Sequence, residues 1–191
     1  MKRVLLLTAL VATATLAAPA AAASSSRPRP TPVADSSAIV AMLAGVTNGA
    51  CPVPGVATGG QPAAAHLQAL AKGGFHTVLD LRTSEEARGF DEPVTAKRAG
   101  LRYESVPFMP ATLGDAQFDR VREVLRRTDG RGVFVHCASA NRVGAVMVPW
   151  LVLDRGWTLD RALALAKTNG LRSPEMEAKA RDYVSRKRER G

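Results

Sequence analysis

Histidine and cysteine are both scarce in this sequence. Three histidines (His66, His76 and His136) are scattered along 191 residues and do not make a metal-ligand set, so no metal and no cofactor is expected. His66 on a helix and His76 on a strand read as packing or surface residues. Two cysteines, Cys51 and Cys137, are too few for a disulfide framework, although one bond remains open to them in an oxidising compartment. No internal repeat is present, which removes the solenoid architectures. The longest apolar stretch, Val4 to about Ala18, is short for a membrane span.

That stretch has another use. Lys2-Arg3 precedes it, and Ala21-Ala22-Ala23 follows before Ser24-Ser25-Ser26, the order of a secretory signal peptide. Cleavage near Ala23 would export the chain, periplasmic or secreted, without a stable membrane span; a retained anchor is the alternative. Residues 24–37, rich in serine and proline, read as an extended linker, and 38–191 as the folded domain. Hydrophobic residues make up 46% of the sequence, enough to build a core.

The formal charge of +9 falls to +7 once Lys2 and Arg3 are removed. Much of the excess is local, with Arg181, Arg186, Lys187, Arg188 and Arg190 crowding the C-terminus. After export nucleic acid is not the expected partner. The crowd reads as a solvated helix end whose cations suit the dipole, and the net charge as an attraction for anionic, phosphorylated substrates, protein or small molecule. Oligomeric state is not legible.

Pattern and punctuation give the elements. Ala38–Leu43 reads as a short helix, and the stretch from Pro52 to Pro62 as an irregular entry segment. Helical spacing over Ala63–Lys72 is closed by Gly73-Gly74, and Phe75–Leu81 is a buried-strand run. Asp91-Glu92-Pro93 starts a helix that stops at Gly100, and Leu101–Val106 is a second strand. Asp115 is placed to cap a helix carrying Phe118, Val121, Val124 and Leu125 inward. Gly132–Val135 is a third strand. Helices follow at about Arg142–Leu153, Leu159–Asn169 and Pro174–Lys187. This alternation means an α/β domain with a mostly parallel central sheet flanked by helices, whose chemistry sits beyond the carboxyl ends of the strands.

One such end reads His136-Cys137-Ala138-Ser139-Ala140-Asn141-Arg142. A strand turning directly into a helix gathers backbone N–H groups in one concavity, and the helix dipole adds positive charge. Small residues let an anion approach the backbone, and Arg142 offers a planar fork matched to two phosphate oxygens. That field favours the anionic form of a thiol placed in it. An anion cradle with a nucleophile at its base suits phosphoryl transfer to cysteine. The competing reading is a buried structural cysteine with Arg142 merely exposed. His136 reads as structural, pointing away from the pocket and bonded to neighbouring backbone.

The sequence resembles the bacterial dual-specificity-phosphatase-like group of the cysteine phosphatases, including the beta-lactamase-hydrolase-like domains and those fused to NAD kinase. The matching pieces are Thr58-Gly59-Gly60-Gln61-Pro62, Thr77–Arg82 with Glu86, Gly100-Leu101-Arg102-Tyr103 before Val106-Pro107, and His136–Gly144. They cover roughly Asn48 to Leu171. The resemblance implies a cysteine-phosphatase fold, Cys137 as nucleophile, Arg142 on the phosphate, and amides of Ala138, Ser139, Ala140, Asn141 and Arg142 around it. The chain departs from the family's usual pattern at three points. The loop is Cys-x4-Arg rather than the usual phosphatase Cys-x5-Arg; the shorter length is found in rhodanese-type sulfurtransferases and is common in this bacterial group as well. Ala140 stands for the loop glycine and Val143 for the Ser/Thr after the arginine. Related phosphatases place an aspartate general acid near the position of Met109, and Asp115 is the nearest acid downstream. Glu85, Glu86, Asp91 and Glu92 are other acids with reach. The sequence therefore supports an exported phosphatase working through a phosphocysteine. A sulfurtransferase, or a catalytically weak anion-binding pseudo-phosphatase, is the alternative.

Overall fold

A computed structural model describes residues 32–128 and 131–190. The signal-peptide reading of residues 1–23 and most of the linker lie outside these residues. Among the described residues no helix is long and apolar enough to cross a membrane.

Among the described residues five strands form one sheet in the order β1-β2-β5-β3-β4. They are β1 (Ala50–Val53), β2 (Val56–Gly59), β3 (Thr77–Asp80), β4 (Arg102–Ser105) and β5 (Val133–His136). All neighbours are parallel except the β1–β2 pair, and β5 lies at the centre with Gly59 and Asp80 level with His136. The expected irregular entry segment is in fact this β1–β2 hairpin. Pro54 and Gly55, the latter at φ 81°, are the two central residues of a tight turn. Pro52 is tolerated because β1 is an edge strand. Two prolines, one inside β1 and one in the turn, hid the strands.

Seven α-helices among the described residues cover the sheet: α1 (Ser36–Met42), α2 (Ala64–Lys72), α3 (Glu92–Arg98), α4 (Asp115–Arg127), α5 (Asn141–Leu153), α6 (Leu159–Thr168) and α7 (Pro174–Glu189). Helix α5, buried from Arg142 to Val152, packs against α4, α6 and α7 on one face. Helices α1, α2 and α3 form the other layer. Strand alternation divides the core accordingly. Val133, Val135, Leu79 and Leu81 belong to the α5 side, and Phe134, Val78 and Ala57 to the side of α1–α3. Caps mark helix starts where the sequence provides them: Asp91 accepts from the N–H of Val94 at 3.0 Å, and Ser173 from that of Met176 at 3.2 Å, each followed by a first-turn proline. The result is the α/β architecture expected, with a mostly parallel sheet.

Candidate active site

Cys137 stands immediately beyond β5 and is 1% exposed, packed with the apolar side of the core. Its loop is pinned through its carbonyls. The Gln61 N–H donates to Ala138 O at 3.2 Å and Asn48 Nδ2 to Ser139 O at 2.9 Å. The Cys137 N–H in turn donates to Gly59 O at 3.3 Å. Gly60 passes so close that a Cβ there would sit 2.6 Å from Ala138 O, which is the physical reason for glycine in Gly59-Gly60-Gln61-Pro62.

The loop turns through Ala140, which has φ 67° and ψ 0° and lies in the left-handed region. The first bond of α5 runs from the Gly144 N–H to Ala140 O at 2.9 Å. The N–H groups of Asn141, Arg142 and Val143 therefore have no acceptor within the helix, which makes this start a natural anion site. The Asn141 side chain looks elsewhere. Its Oδ1 accepts from the N–H of Arg172 at 2.8 Å and of Ser173 at 3.2 Å, tying the cysteine loop to the start of α7.

Arg142 is 7% exposed. One terminal nitrogen donates to Glu86 Oε1 at 2.7 Å and to the carbonyls of Phe108 at 3.0 Å and Leu81 at 3.3 Å. The other donates to Glu86 Oε2 at 2.6 Å. A guanidinium has five N–H groups. These contacts use three, leaving Nε–H and one terminal N–H as a two-pronged edge. Burial opposes the arginine's charge, but hydrogen bonds to Glu86 and attraction to Cys137 raise its pKa on balance. The Glu86 carboxyl is held down at about 2, by Arg142 first, against burial, with help from the Thr83 N–H. Glu86, considered above as an acid with reach, is instead the anchor of the arginine. Glu86 also pairs with Arg82 at 3.3 Å, but in a loop, where no helical spacing announces the contact.

Behind the loop lies a buried polar chain. His136 faces α3, where its Nε2 is 2.9 Å from Glu92 Oε1 and 3.8 Å from Asp80 Oδ1. The 2.9 Å approach is out of line for a hydrogen bond. The imidazole does turn away from the cysteine loop, but toward carboxylates rather than backbone. Glu92 Oε2 accepts from Gln61 Nε2 at 2.9 Å, and Gln61 Oε1 from Arg82. Asp80 accepts from Arg88 at 2.7 Å, Tyr103 OH at 2.6 Å and the Arg82 N–H at 2.7 Å. Burial and the Asp80 contact push the Tyr103 phenol up. Asp80, Glu92 and His136 could each offer a ligand atom within 4.8 Å of the others. Arg88, on Asp80 and 3.7 Å from Glu92, already supplies positive charge there. With Glu86, three carboxylates face three guanidinium groups, so the cluster is charge-balanced as it stands and we read it as an ion network.

The remaining expected residues fall outside this arrangement. Asp115 neither caps α4 nor approaches the loop. Gly114 is the cap position, its N–H bonded to Gln117 at 3.1 Å, and Asp115 takes both terminal nitrogens of Arg186 at 2.7 Å. Arg186 holds its carboxyl below the usual range. That arginine lies about 18 Å along α7 from the end that touches Asn141. Asp91 is the cap of α3. Cys51 and Cys137 are unpaired and on opposite faces of the sheet, and Cys51 Sγ lies 3.3 Å from Val53 O. Two strand spacings separate β1 from β5, about 9.5 Å, beyond the reach of a disulfide.

Comparison with known proteins agrees with this geometry. The chain is 29% identical over 119 residues to the beta-lactamase hydrolase-like protein of Xylella fastidiosa strain Temecula1, a match over 60% of this chain and 27% of the relative. It thus spans about a quarter of the length of the curated relatives it matches. Among solved structures, a DUF442 protein from Shewanella putrefaciens CN-32, described as a phosphatase, superposes with a TM-score of 0.65 at 18% identity, covering 77% of this chain and 97% of that one. Tk-PTP in its active form gives 0.60 at 20%, covering 73% and 97%. TpbA of P. aeruginosa, solved with pTyr, gives 0.58 at 21%, covering 72% and 82%. These share the cysteine-phosphatase fold. The family model described as "DSP-PTPase phosphatase fused to NAD+ Kinase" matches residues 54–185, more than half of the chain, and the protein belongs to that family.

Proposed function

We propose that this protein hydrolyses phosphate monoesters through a phosphocysteine on Cys137, and that it does so after export. One observation carries the chemistry: a cysteine at the strand end faces a helix start, with two N–H groups of a buried, carboxylate-anchored Arg142 left over. The phosphate is held by the amides at the start of α5 and by Arg142. The Cys137 thiolate forms an S–P bond as the P–O bond breaks. Water then attacks phosphorus, the S–P bond breaks, and thiolate and inorganic phosphate are restored. Arg142 and the amides meet the charge on the equatorial oxygens in both steps. The fold is shared with Tk-PTP and with TpbA, whose structure holds pTyr, which supports a phosphorylated substrate here. Export rests on the Lys2-Arg3, apolar, Ala21–Ala23 order.

A second reading is favoured by the four-residue spacing from Cys137 to Arg142. Thiosulfate would pass its outer sulfur to Cys137 with release of sulfite, and cyanide would remove it as thiocyanate. The test is one panel on the full chain: an aryl phosphate, and thiosulfate with cyanide, each with wild type and Cys137→Ser. We expect phosphate release lost by at least about 10³-fold in a folded serine variant. Serine activity equal to wild type overturns the phosphocysteine. Thiocyanate without phosphate turnover replaces the reading with sulfur transfer, and neither activity leaves an anion-binding protein.

A further inference from the structure

Resting on the phosphatase reading above, we infer that the site supplies no proton to the departing oxygen, so that its substrates are phosphate esters of acidic hydroxyls: aryl, enol or acyl phosphates rather than phosphoserine or sugar phosphates. The inference comes from where the carboxyls near the cysteine loop are spent among the described residues; Glu85 is exposed, with only the Ser84 hydroxyl on it at 2.9 Å. Six segments lie at the carboxyl ends of the parallel strands or against the loop. Residues 45–49, 59–63, 106–114, 137–142 and 169–173 contain no acid at all. The sixth, after β3, carries Glu85, Glu86 and Asp91 and leads into Glu92.

Glu86 accepts from Arg142 twice, from Arg82 and from the Thr83 N–H, and with its carboxyl at about 2 it holds no proton to give at neutral pH. Asp91 caps α3, and Glu92 is fully buried behind the loop on Gln61 and beside His136. Asp115 is ionised by Arg186. Basic groups that could carry a proton are also engaged. Lys179 uses its three N–H groups on Pro110 O, Ala111 O and Glu175. The segment that passes Arg142 with the Phe108 carbonyl presents Met109 next, 49% exposed, where a proton donor would be useful.

The bond-breaking step then proceeds with the electron pair leaving on oxygen as an anion, which water protonates afterwards. For a phenol of pKa ~10 or lower that departure is feasible, whereas an alkoxide of pKa near water's ~15.7 leaves poorly. A positioned general acid is worth about 10²–10⁴-fold, and its absence is felt by poor leaving groups.

The experiment is a leaving-group series on the full chain: substituted phenyl phosphates spanning several units of phenol pKa, with phosphotyrosine and phosphoserine peptides. We expect kcat/KM to fall steeply, approaching about tenfold per unit, with phosphoserine at least about 10³-fold below p-nitrophenyl phosphate. Glu85→Gln and Asp115→Asn should leave the slope unchanged. A shallow slope, below about twofold per unit, overturns the inference while the phosphatase reading stands. So does either variant that loses activity selectively on the poorer leaving groups, since it would identify the donor. Hydrolysis of none of the esters overturns the phosphatase reading and this inference with it.

Discussion

The two faces of strand β5 carry opposite chemistry one residue apart. Val133, Val135 and then Cys137 enter the apolar core shared with α5, whereas Phe134 and His136 face α1–α3. The neighbouring strand β3 repeats the division, sending Leu79 and Leu81 one way and Val78 and Asp80 the other. Apolar packing is non-directional, so it fixes where Cys137 sits without fixing the angle of anything charged. Charge-assisted hydrogen bonds are directional. Glu86, Arg82, Gln61 and Glu92 make a continuous chain of them, ending on Arg142 at one end and beside His136 at the other. One face places Cys137, and the other aims Arg142.

The sharpest way to break that division is to truncate each face in turn. Glu92→Ala leaves the buried His136 and the half-buried Arg88 and Gln61 without their acid, and should cost about 3–5 kcal/mol. Leu151→Ala, on the fully buried apolar side of α5, should cost about 2–5 kcal/mol. The two differ in what survives. At a temperature where both variants remain folded, Leu151→Ala should keep its kcat/KM, and Glu92→Ala should lose it through the arginine's orientation. Denaturant titration beside steady-state kinetics checks both, and equal kinetic losses would erase the distinction.

Glu86→Gln tests the polar face at its active-site end. The carboxyl's pKa is lowered in the folded chain, from an ordinary 4.5 to about 2. Its stabilisation is therefore complete above the unfolded value and is lost as pH falls toward 2. The contribution at neutral pH is about 3 kcal/mol, less what the partial exposure of the pair screens away. Stability measured between pH 5 and 2 should fall more steeply in wild type than in Glu86→Gln, with the variant's kcat reduced at neutral pH. Parallel stability profiles would show that Glu86 is not the depressed carboxyl.

Why the apolar face was legible and the polar one was not follows from the same division. Periodicity reports burial, so α4 with Phe118, Val121, Val124 and Leu125 inward, the run of β5 and the limits of α5, α6 and α7 were readable to within a residue or two. The position of Cys137 and Arg142 across a strand-to-helix turn was readable from local spacing. Glu92 reads as an ordinary acid in a helix's first turn, and only tertiary packing makes it fully buried. Asp115 likewise looks like a cap until Arg186, 71 residues away, claims it. Long-range charge pairing leaves no periodic trace.

Asn141→Ala should have a moderate effect. Its Oδ1 serves two N–H groups at the entry of α7, and removing it leaves both to water, at about 1–2 kcal/mol. The loop would lose a brace while its amides remain, so KM should rise more than kcat falls. An unchanged KM with lowered stability would assign Asn141 to folding alone.

The smallest expected change is at Ala140, where three terms nearly cancel. A left-handed alanine costs about 1–2 kcal/mol, which glycine would relieve. Glycine gives back about 0.4–1 kcal/mol through the freer unfolded chain. Its missing methyl also vacates a fully buried site, at about 0.8 kcal/mol. Ala140→Gly should therefore shift stability by less than about 1 kcal/mol in either direction. The methyl's neighbour is Gly170, at φ 120°, where an added Cβ would meet Ala140 Cβ at 2.9 Å and Ser139 O at 3.2 Å. Gly170→Ala should accordingly destabilise the wild type, both by this clash and by its own backbone. In the Ala140→Gly background the clash with the methyl disappears and the backbone strain stays, so the loss should shrink but not vanish. A double-mutant cycle with denaturant unfolding measures that coupling, and strict additivity would show that the α6–α7 loop does not hold Ala140 in its left-handed turn.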